Sequence, residues 1–66
     1  MRKGYRVAWR TSQGMTAGTI VSRHTADLTF QGHVYRASHD DPVCIVESTS
    51  TGKQAAHHES TLERQD

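Results

Sequence analysis

The stretch Gly-Tyr-Arg-Val-Ala-Trp-Arg at positions 4–10 decides the fold class. Tyr5, Val7 and Trp9 occupy every second position, and small or basic side chains stand between them. Because successive side chains of a β-strand point to opposite faces, this period of two predicts a strand with one apolar face and one basic face. We expect Val7 and Trp9, together with Phe30 further along the chain, to belong to the core.

The chain continues in short runs with β-strand character, separated by turn residues. Gly18 interrupts the second run, where we expect a bulge or a sharp bend. Gln31-Gly32 is typical of a tight hairpin connection. Including the first strand, the predicted β segments are 5–10, 15–23, a hairpin at 28–37, 43–47 and 53–57. These five β segments and the lack of an internal repeat favour an all-β, five-stranded SH3-like barrel, because closure removes exposed strand edges.

The C-terminal end carries a weak helix signal. Ser60 and Glu63 have the spacing of a capping box, so we predict one short helical turn, followed by polar residues that fray. With 66 residues there is room for one domain and one small core. We therefore treat 1–66 as a single domain with an ordered part at about 4–63.

Charge is divided unevenly along the chain. Residues 1–36 contain six basic and one acidic residue, a net +5, whereas residues 37–66 contain two basic and six acidic residues, a net −4. A basic half can bind phosphate-bearing partners, or it can serve as a solvated surface that attracts the acidic half.

Several classes of function have little support in the sequence. The lone Cys44 cannot form an internal disulfide, and no apolar run is long enough for a membrane helix or a signal peptide, which predicts a cytoplasmic location. Cys44 lies in an apolar run that would hide it and raise the pKa of its thiol. The five histidines lack the spacing of a structural zinc site. We expect no catalytic residue, no metal and no cofactor.

Three segments resemble one known family. The first segment runs from Gly4 to Trp9 and is similar to G-x-x-V-x-W. The second is Gly32-His33-Val34-Tyr35-Arg36-Ala37-Ser38-His39-Asp40-Asp41-Pro42, which is similar to G-x-x-x-x-A-S-x-D-D-P. The third is Thr51-Gly52-Lys53-Gln54-Ala55-Ala56-His57, which is similar to T-G-K-x-A-x-H, and all three patterns are those of the hypervirulence-associated protein tudor-domain family. The resemblance implies a tudor-like barrel that acts as a binding module and has no established enzymatic activity. The motif positions are Gly4, Val7, Trp9, Gly18, Gly32, Ala37, Pro42, Gly52, Lys53, Ala55 and His57.

The candidate binding surface combines the basic face with the Ala-Ser-x-Asp-Asp-Pro loop. Arginines could contact phosphates, and Tyr35 could stack on a base. Ser38 and Asp40 are expected to accept backbone N–H bonds that hold the loop, which could also form a binding edge. The candidate residues are Arg6, Arg10, Arg23, Tyr35, Arg36, Ser38, Asp40 and Asp41.

Two readings of function therefore remain open. The first is a non-enzymatic module that binds nucleic acid, or an acidic protein segment, through its basic face. The second is a protein-interaction or stress-related adaptor that uses a sheet edge or forms a weak homodimer. A cage for a methylated lysine would need several converging rings, with Tyr5 and Tyr35 as the rings expected at the surface.

Overall fold

The computed structural model describes residues 2–65, which form seven β-strands and one 3-10 turn. The all-β prediction is confirmed. The strands are β1 (Arg6–Thr11), β2 (Gly14–His24), β3 (Leu28–Phe30), β4 (His33–Tyr35), β5 (Val43–Ser48), β6 (Gln54–His58) and β7 (Glu63–Arg64), and the 3-10 turn spans Glu59–Thr61.

The strands form an antiparallel five-stranded sheet in the order β6-β5-β2-β1-β7, and β3 and β4 pair with each other as a separate two-stranded sheet. The predicted closure is wrong as stated, because β6 and β7 end the sheet without pairing to each other. The 11-residue β2 spans its middle, pairing first with β1 and then with β5. The domain is thus an all-β fold whose main sheet stays open.

The β3–β4 hairpin forms at the predicted two-residue turn. Phe30 pairs with His33, and the residues between them, Gln31 and Gly32, have φ angles of 53° and 78°. Two successive positive φ values are the mark of a type I′ turn, whose twist matches that of the flanking strands. Gly32 adopts this conformation without the steric cost that a side chain would add.

The core lies on the face of the sheet that carries Val7 and Trp9, as the alternating pattern of the first strand predicted. It is built by Val7, Trp9, Ile20, Cys44, Val46 and Leu62, with Tyr5 and Ala55 packed against it. Phe30 is half-buried and lies outside this cluster, so its assignment to the core was wrong. The hairpin that carries Phe30 pairs only with itself, whereas Leu62, from the C-terminal segment, reaches the core.

Gly18 serves close packing rather than the bulge that its position suggested. The register shift in β2 lies between Ile20 and Ser22, with Val21 as the extra residue. A Cβ on Gly18 would lie 2.8 Å from Trp9 Cη2 and would collide with the backbone carbonyl of Glu47. Gly18 therefore makes room for the indole, and this requirement arises from a strand that is distant in sequence.

The C-terminal segment is ordered differently from the prediction. The helical turn exists, but it starts after His58 and has no side-chain cap, so Ser60 and Glu63 form no capping box. Glu63 instead pairs with Ala8 in the β1–β7 ladder. Gln65 N–H continues this pairing by donating to Arg6 O at 2.9 Å. The expected fraying is therefore wrong for residues 64–65, because β1 offers an edge to which they bind.

Candidate binding surface

Strand β1 presents two arginines on the face opposite the core. Arg6 and Arg10 are exposed and alternate with the buried Val7 and Trp9, as predicted. The register with β7 places Glu63 across from Ala8, on the face and in the interval that the two arginines share. Strand β1 therefore has a basic face, but Glu63 partly offsets the positive charge of its two arginines.

Arg23 does not belong to this basic face. It pairs across the ladder with Cys44, a core residue, so it lies on the other side of the sheet from Arg6. Its Nε donates to Glu59 Oε2 at 2.7 Å. This ion pair raises the pKa of Arg23 and lowers the pKa of the Glu59 carboxyl. The predicted set of arginines is thus divided, and one member is already bound to an internal acid.

Tyr35 and Arg36 lie at the end of the β3–β4 hairpin, away from the strand pairing of β1. Tyr35 is half-buried, and its ring centroid is 5.7 Å from that of His33. Arg36 is exposed. The hairpin therefore offers its own small surface of one ring and one cation, and its exposed apolar residue is Val34.

The Ala-Ser-x-Asp-Asp-Pro segment is a hydrogen-bonded loop, as expected, although one acceptor differs. Ser38 and Asp41 exchange backbone hydrogen bonds of 3.2 Å, and Ser38 Oγ also accepts the Asp41 N–H at 3.1 Å. Asp27 Oδ1 accepts the Ala37 N–H at 3.0 Å, while the exposed Asp40 carboxylate accepts none of the hydrogen bonds described within residues 2–65. Asp27 thus takes the role that the sequence suggested for Asp40.

The other carboxylate of the loop lies beside a histidine of β6. Asp41 Oδ2 is 3.2 Å from His58 Nδ1, a nitrogen that is shielded from solvent and has no hydrogen bond of good geometry among the described residues. The two adjacent aspartates therefore face different surroundings, which agrees with a structural role and gives no paired acid and base.

Two clefts border the loop that joins β5 to β6, and the sequence did not reveal either of them. The first has a volume of about 400 Å³ and is lined by Arg6, Val7, Ala17, Gly18, Thr49 and Gln65. The second, which we call the hydroxyl cleft, has a volume of about 380 Å³ and is lined by Trp9, Thr11, Ser12, Gln13, Thr16, Ser48, Ser50, Thr51, Lys53, Gln54 and Ala55.

The charge of the two clefts is positive. Among residues 2–65, Arg6 in the first and Lys53 in the second are the charged lining residues, and no acidic side chain lines either cleft. Hydroxyl and amide groups supply most of the remaining polar atoms. The dense Ser and Thr content of residues 48–51 was the available sequence signal, but it indicated nothing more than a turn.

The loop between the clefts has a defined backbone. Ser48 N–H donates to Lys53 O at 2.8 Å, and Gly52 N–H donates to Ser48 O at the same distance. Gly52 has a φ of 73°, which glycine adopts at low cost. Thr51 Oγ1 accepts the Lys53 N–H at 3.2 Å. Lys53 is therefore held at a fixed place on the rim of the hydroxyl cleft.

The remaining reactive groups are buried in the core region. Burial raises the pKa of the Cys44 thiol, as predicted, and lowers the pKa of His57, whose ring centroid is 5.6 Å from that of Trp9. Within residues 2–65 no three His, Cys, Asp or Glu side chains gather as metal ligands.

The aromatic rings do not converge. The indole of Trp9 is 5% exposed, and the guanidinium of Arg64 covers the ring of Tyr5, 4.3 Å from its centroid. Phe30 and Tyr35 lie half-buried on the separate hairpin. The structure therefore gives no support to a methyl-lysine cage built from the described rings.

The sequence profile described as "Hypervirulence associated proteins TUDOR domain" matches residues 4–62, nearly the whole chain. The chain belongs to this family. No curated protein and no solved structure matches it. As a tudor-like domain, it is a small binding module.

Nine of the eleven motif positions of this tudor domain fall into three structural roles. Gly4, Gly32 and Gly52 have positive φ angles at turns. Val7, Trp9 and the buried Pro42 contribute to the interior, with Ala55 packed against the core and Gly18 making room for the indole. Lys53 is the exposed charged member, and it lies in the hydroxyl cleft. None of the described helical segments is long and apolar enough to cross a membrane.

Proposed function

We propose that this tudor domain is a non-enzymatic module that binds nucleic acid through the sugar-phosphate backbone. The observation that carries the proposal is the pair of clefts on either side of the β5–β6 loop, in which Arg6 and Lys53 are the charged lining residues and no acid from the described part of the chain is present. Anionic ligands are favoured there because a phosphate meets no repulsive carboxylate in the lining.

The neutral lining groups also suit phosphate. Ser and Thr hydroxyls and Gln amides donate hydrogen bonds to phosphate oxygens, and contacts of this kind make up most protein–nucleic acid hydrogen bonds. The hydroxyl cleft offers such donors from Ser12 and Gln13 on the β1–β2 turn and from Ser50 and Thr51 on the facing loop. Together, the lysine and the neutral hydrogen-bond donors of the hydroxyl cleft suit the sugar-phosphate backbone rather than a particular base sequence.

Other cations extend the site without completing it. Arg10 shares the face of β1 that carries Arg6 of the first cleft, and Tyr35 with Arg36 forms an outlying contact where one base could stack. Arg23 is left out because Glu59 already binds it. With about three phosphates contacted, affinity should be at the weak, non-specific end, a Kd of roughly 0.1 mM, and should fall steeply with salt.

The surroundings of the candidate nucleophile, Cys44, and of the two candidate acids, Asp40 and Asp41, support the non-enzymatic part of the proposal. Cys44 is buried with a raised thiol pKa, and Asp40 and Asp41 do not form a shared site. A cytoplasmic location stays a prediction from the sequence.

Amide NMR during addition of a short mixed-sequence single-stranded DNA, at low and then at raised salt, tests the proposal. We expect shifts at Arg6, the 11–16 turn region and residues 48–54 that disappear with salt. Arg6→Glu with Lys53→Glu should abolish them. Arg2→Glu with Lys3→Glu makes the same change in net charge outside the clefts and should preserve most of the binding.

Three results would contradict the proposal. Equal loss in both double variants would mean that general charge attraction, rather than the clefts, holds the DNA. Equal binding of a poly-glutamate peptide at the same residues would favour an acidic protein segment as the ligand. An absence of shifts at low salt would remove nucleic acid altogether.

A further inference from the structure

Strand β6 is an edge of the main sheet, and its register shows which backbone groups face outward. At the two ends of the β5–β6 ladder, Ser48 N–H donates to Lys53 O and Glu59 N–H donates to Pro42 O, both at 2.8 Å. Hydrogen-bonded and non-bonded pairs alternate along an antiparallel ladder. The bonded pairs inside β6 are therefore those of Ala55 with Val46 and His57 with Cys44.

The alternate residues, Gln54, Ala56 and His58, direct their N–H and C=O groups toward the free edge. His58 O accepts a hydrogen bond from Thr61 Oγ1 at 2.8 Å. Within residues 2–65, no backbone hydrogen bond is described for the outward groups of Gln54 and Ala56 or for the His58 N–H. These groups form a short ladder that is ready to accept another strand.

The usual protection of an edge strand is missing inside β6. Natural sheet edges are blunted by prolines, charged side chains or bulges. The five residues Gln54–His58 contain no Asp, Glu, Lys, Arg or Pro, and their pairing with β5 shows no register shift. The edge therefore has the features of an interaction site.

We propose that β6 pairs with the β6 of a second copy of this chain, antiparallel and related by a two-fold axis at Ala56. This inference does not depend on the proposed nucleic-acid site, although the two surfaces share Lys53, Gln54 and Ala55. In that register Ala56 faces Ala56 of the second copy, and both residues direct their N–H and C=O across the axis. Gln54 then forms the next hydrogen-bonded pair with His58.

The side chains are self-complementary in this register. Ala55, which is small, falls across from the larger His57 at both ends of the strand, and Ala56 meets its own equivalent at the centre. One step outside the strand, Lys53 falls across from Glu59 of the second copy. Glu59 is still aligned with the ladder, since its N–H donates to Pro42 O. Two opposite-charge pairs therefore flank the joined strands, with each Glu59 carboxylate shared between Lys53 of the other copy and Arg23 of its own chain. Cross-strand pairs of this kind stabilise a sheet.

Charge complementarity and register select a second copy rather than an unrelated peptide. A parallel or shifted pairing would bring Lys53 or Glu59 opposite its own equivalent or leave it unmatched. The interface consists of one strand from each copy, which places it among the small, weak associations, with an expected Kd of about 0.1–1 mM. The product is a continuous ten-stranded sheet.

Sedimentation velocity on the full chain, over a concentration range that spans the expected Kd, tests the association. We expect a reversible monomer–dimer equilibrium. Ala56→Pro removes an outward N–H for which residues 2–65 provide no hydrogen-bond partner, so it should abolish the dimer while its circular dichroism shows a folded domain. Lys53→Glu should weaken the dimer at least threefold, whereas Lys3→Glu, with the same charge change, should not.

The register has its own test in a sample that mixes two isotope-labelled forms of the chain. Ala55 and His57 form a non-bonded pair across the axis, where the Cα atoms of facing residues approach most closely. We expect an intermolecular Hα–Hα contact between these two residues. A monomer at millimolar concentration, a dimer unchanged by Ala56→Pro, or intermolecular contacts confined to other strands would overturn the proposal. Should Ala56→Pro fail to fold, the intermolecular contact and the Lys53→Glu series decide.

Discussion

The two edges of the main sheet differ in length, charge and attachment. The β7 edge is two residues long, consists of Glu63 and Arg64, and is anchored by the neighbouring Leu62 in the core. The β6 edge is five residues long and lacks Asp, Glu, Lys and Arg. A short, charged edge discourages further pairing, whereas a longer uncharged edge permits it. The same sheet thus ends in one protected edge and one open edge, and the open one carries the proposed dimer.

The largest effect should come from removing the anchor of the β7 edge. Leu62→Ala removes a buried side chain of the core cluster and should lower the free energy of unfolding by about 2–5 kcal/mol. Urea denaturation, with added osmolyte if the variant is largely unfolded, measures the change. Met15→Ala truncates an exposed apolar side chain and should change stability by less than about 0.5 kcal/mol. Equal effects of the two variants would mean that Leu62 does not hold the C-terminal segment.

The second prediction separates the inward and outward positions of β6. Ala55→Pro removes an N–H that bonds Val46 and leaves the carbonyl of that buried residue unpaired, so it should cost about 1–3 kcal/mol or more. Ala56→Pro removes an outward N–H and should cost clearly less, since prolines are tolerated on edge strands. Thermal unfolding of both variants at a concentration where the chain is monomeric gives the comparison. If Ala56→Pro cost more than Ala55→Pro, the assignment of inward and outward N–H groups in β6 would be wrong.

A smaller effect should follow from the ring contact at the β7 edge. Arg64→Ala removes the guanidinium that lies over Tyr5 and should cost about 0.5–1 kcal/mol. Arg10→Ala removes an exposed arginine for which no ring contact is described, and it serves as the matched control. The difference in unfolding free energy between the two variants measures the contribution, and it should exceed zero at both low and high salt.

The smallest effect concerns His57 on the open edge. Burial lowers its pKa from about 6.5, so below that pH the unfolded chain binds the proton more readily than the folded chain. Stability contributed by the neutral ring is present above about pH 6.5 and is lost as pH falls through the lower pKa of the folded state. Denaturation midpoints between about pH 7 and 5 should fall less steeply for His57→Gln than for the natural sequence. An unchanged slope in the variant would contradict this role of His57.

Local pattern was sufficient for most of the strands and turns. The alternation around Val7 and Trp9 predicted the core face of β1, and Gln31-Gly32 predicted the β3–β4 turn, because both depend on residues that are adjacent in the chain. Gly18 was predicted to mark a bulge or bend, but a glycine is needed there because a side chain would collide with Trp9 and with the Glu47 carbonyl. The capping box at Ser60 failed because β1 offered Glu63 a ladder partner instead.

The candidate site was likewise predictable only where it depends on residues close together in the sequence. Exposure of Arg6, Arg10 and Arg36 could be predicted from their positions between apolar residues or in turns, and so could the hydrogen-bonded loop at Ser38. The sequence by itself determined an all-β domain of the tudor family, its core strand and its turns, because these follow from local side-chain period and motif. The tertiary structure decided the rest: the ion pair that removes Arg23 from the basic face, the clefts at Arg6 and Lys53, and the unequal edges. Each of these joins strands far apart in sequence, and a local pattern does not specify which distant backbone will be adjacent.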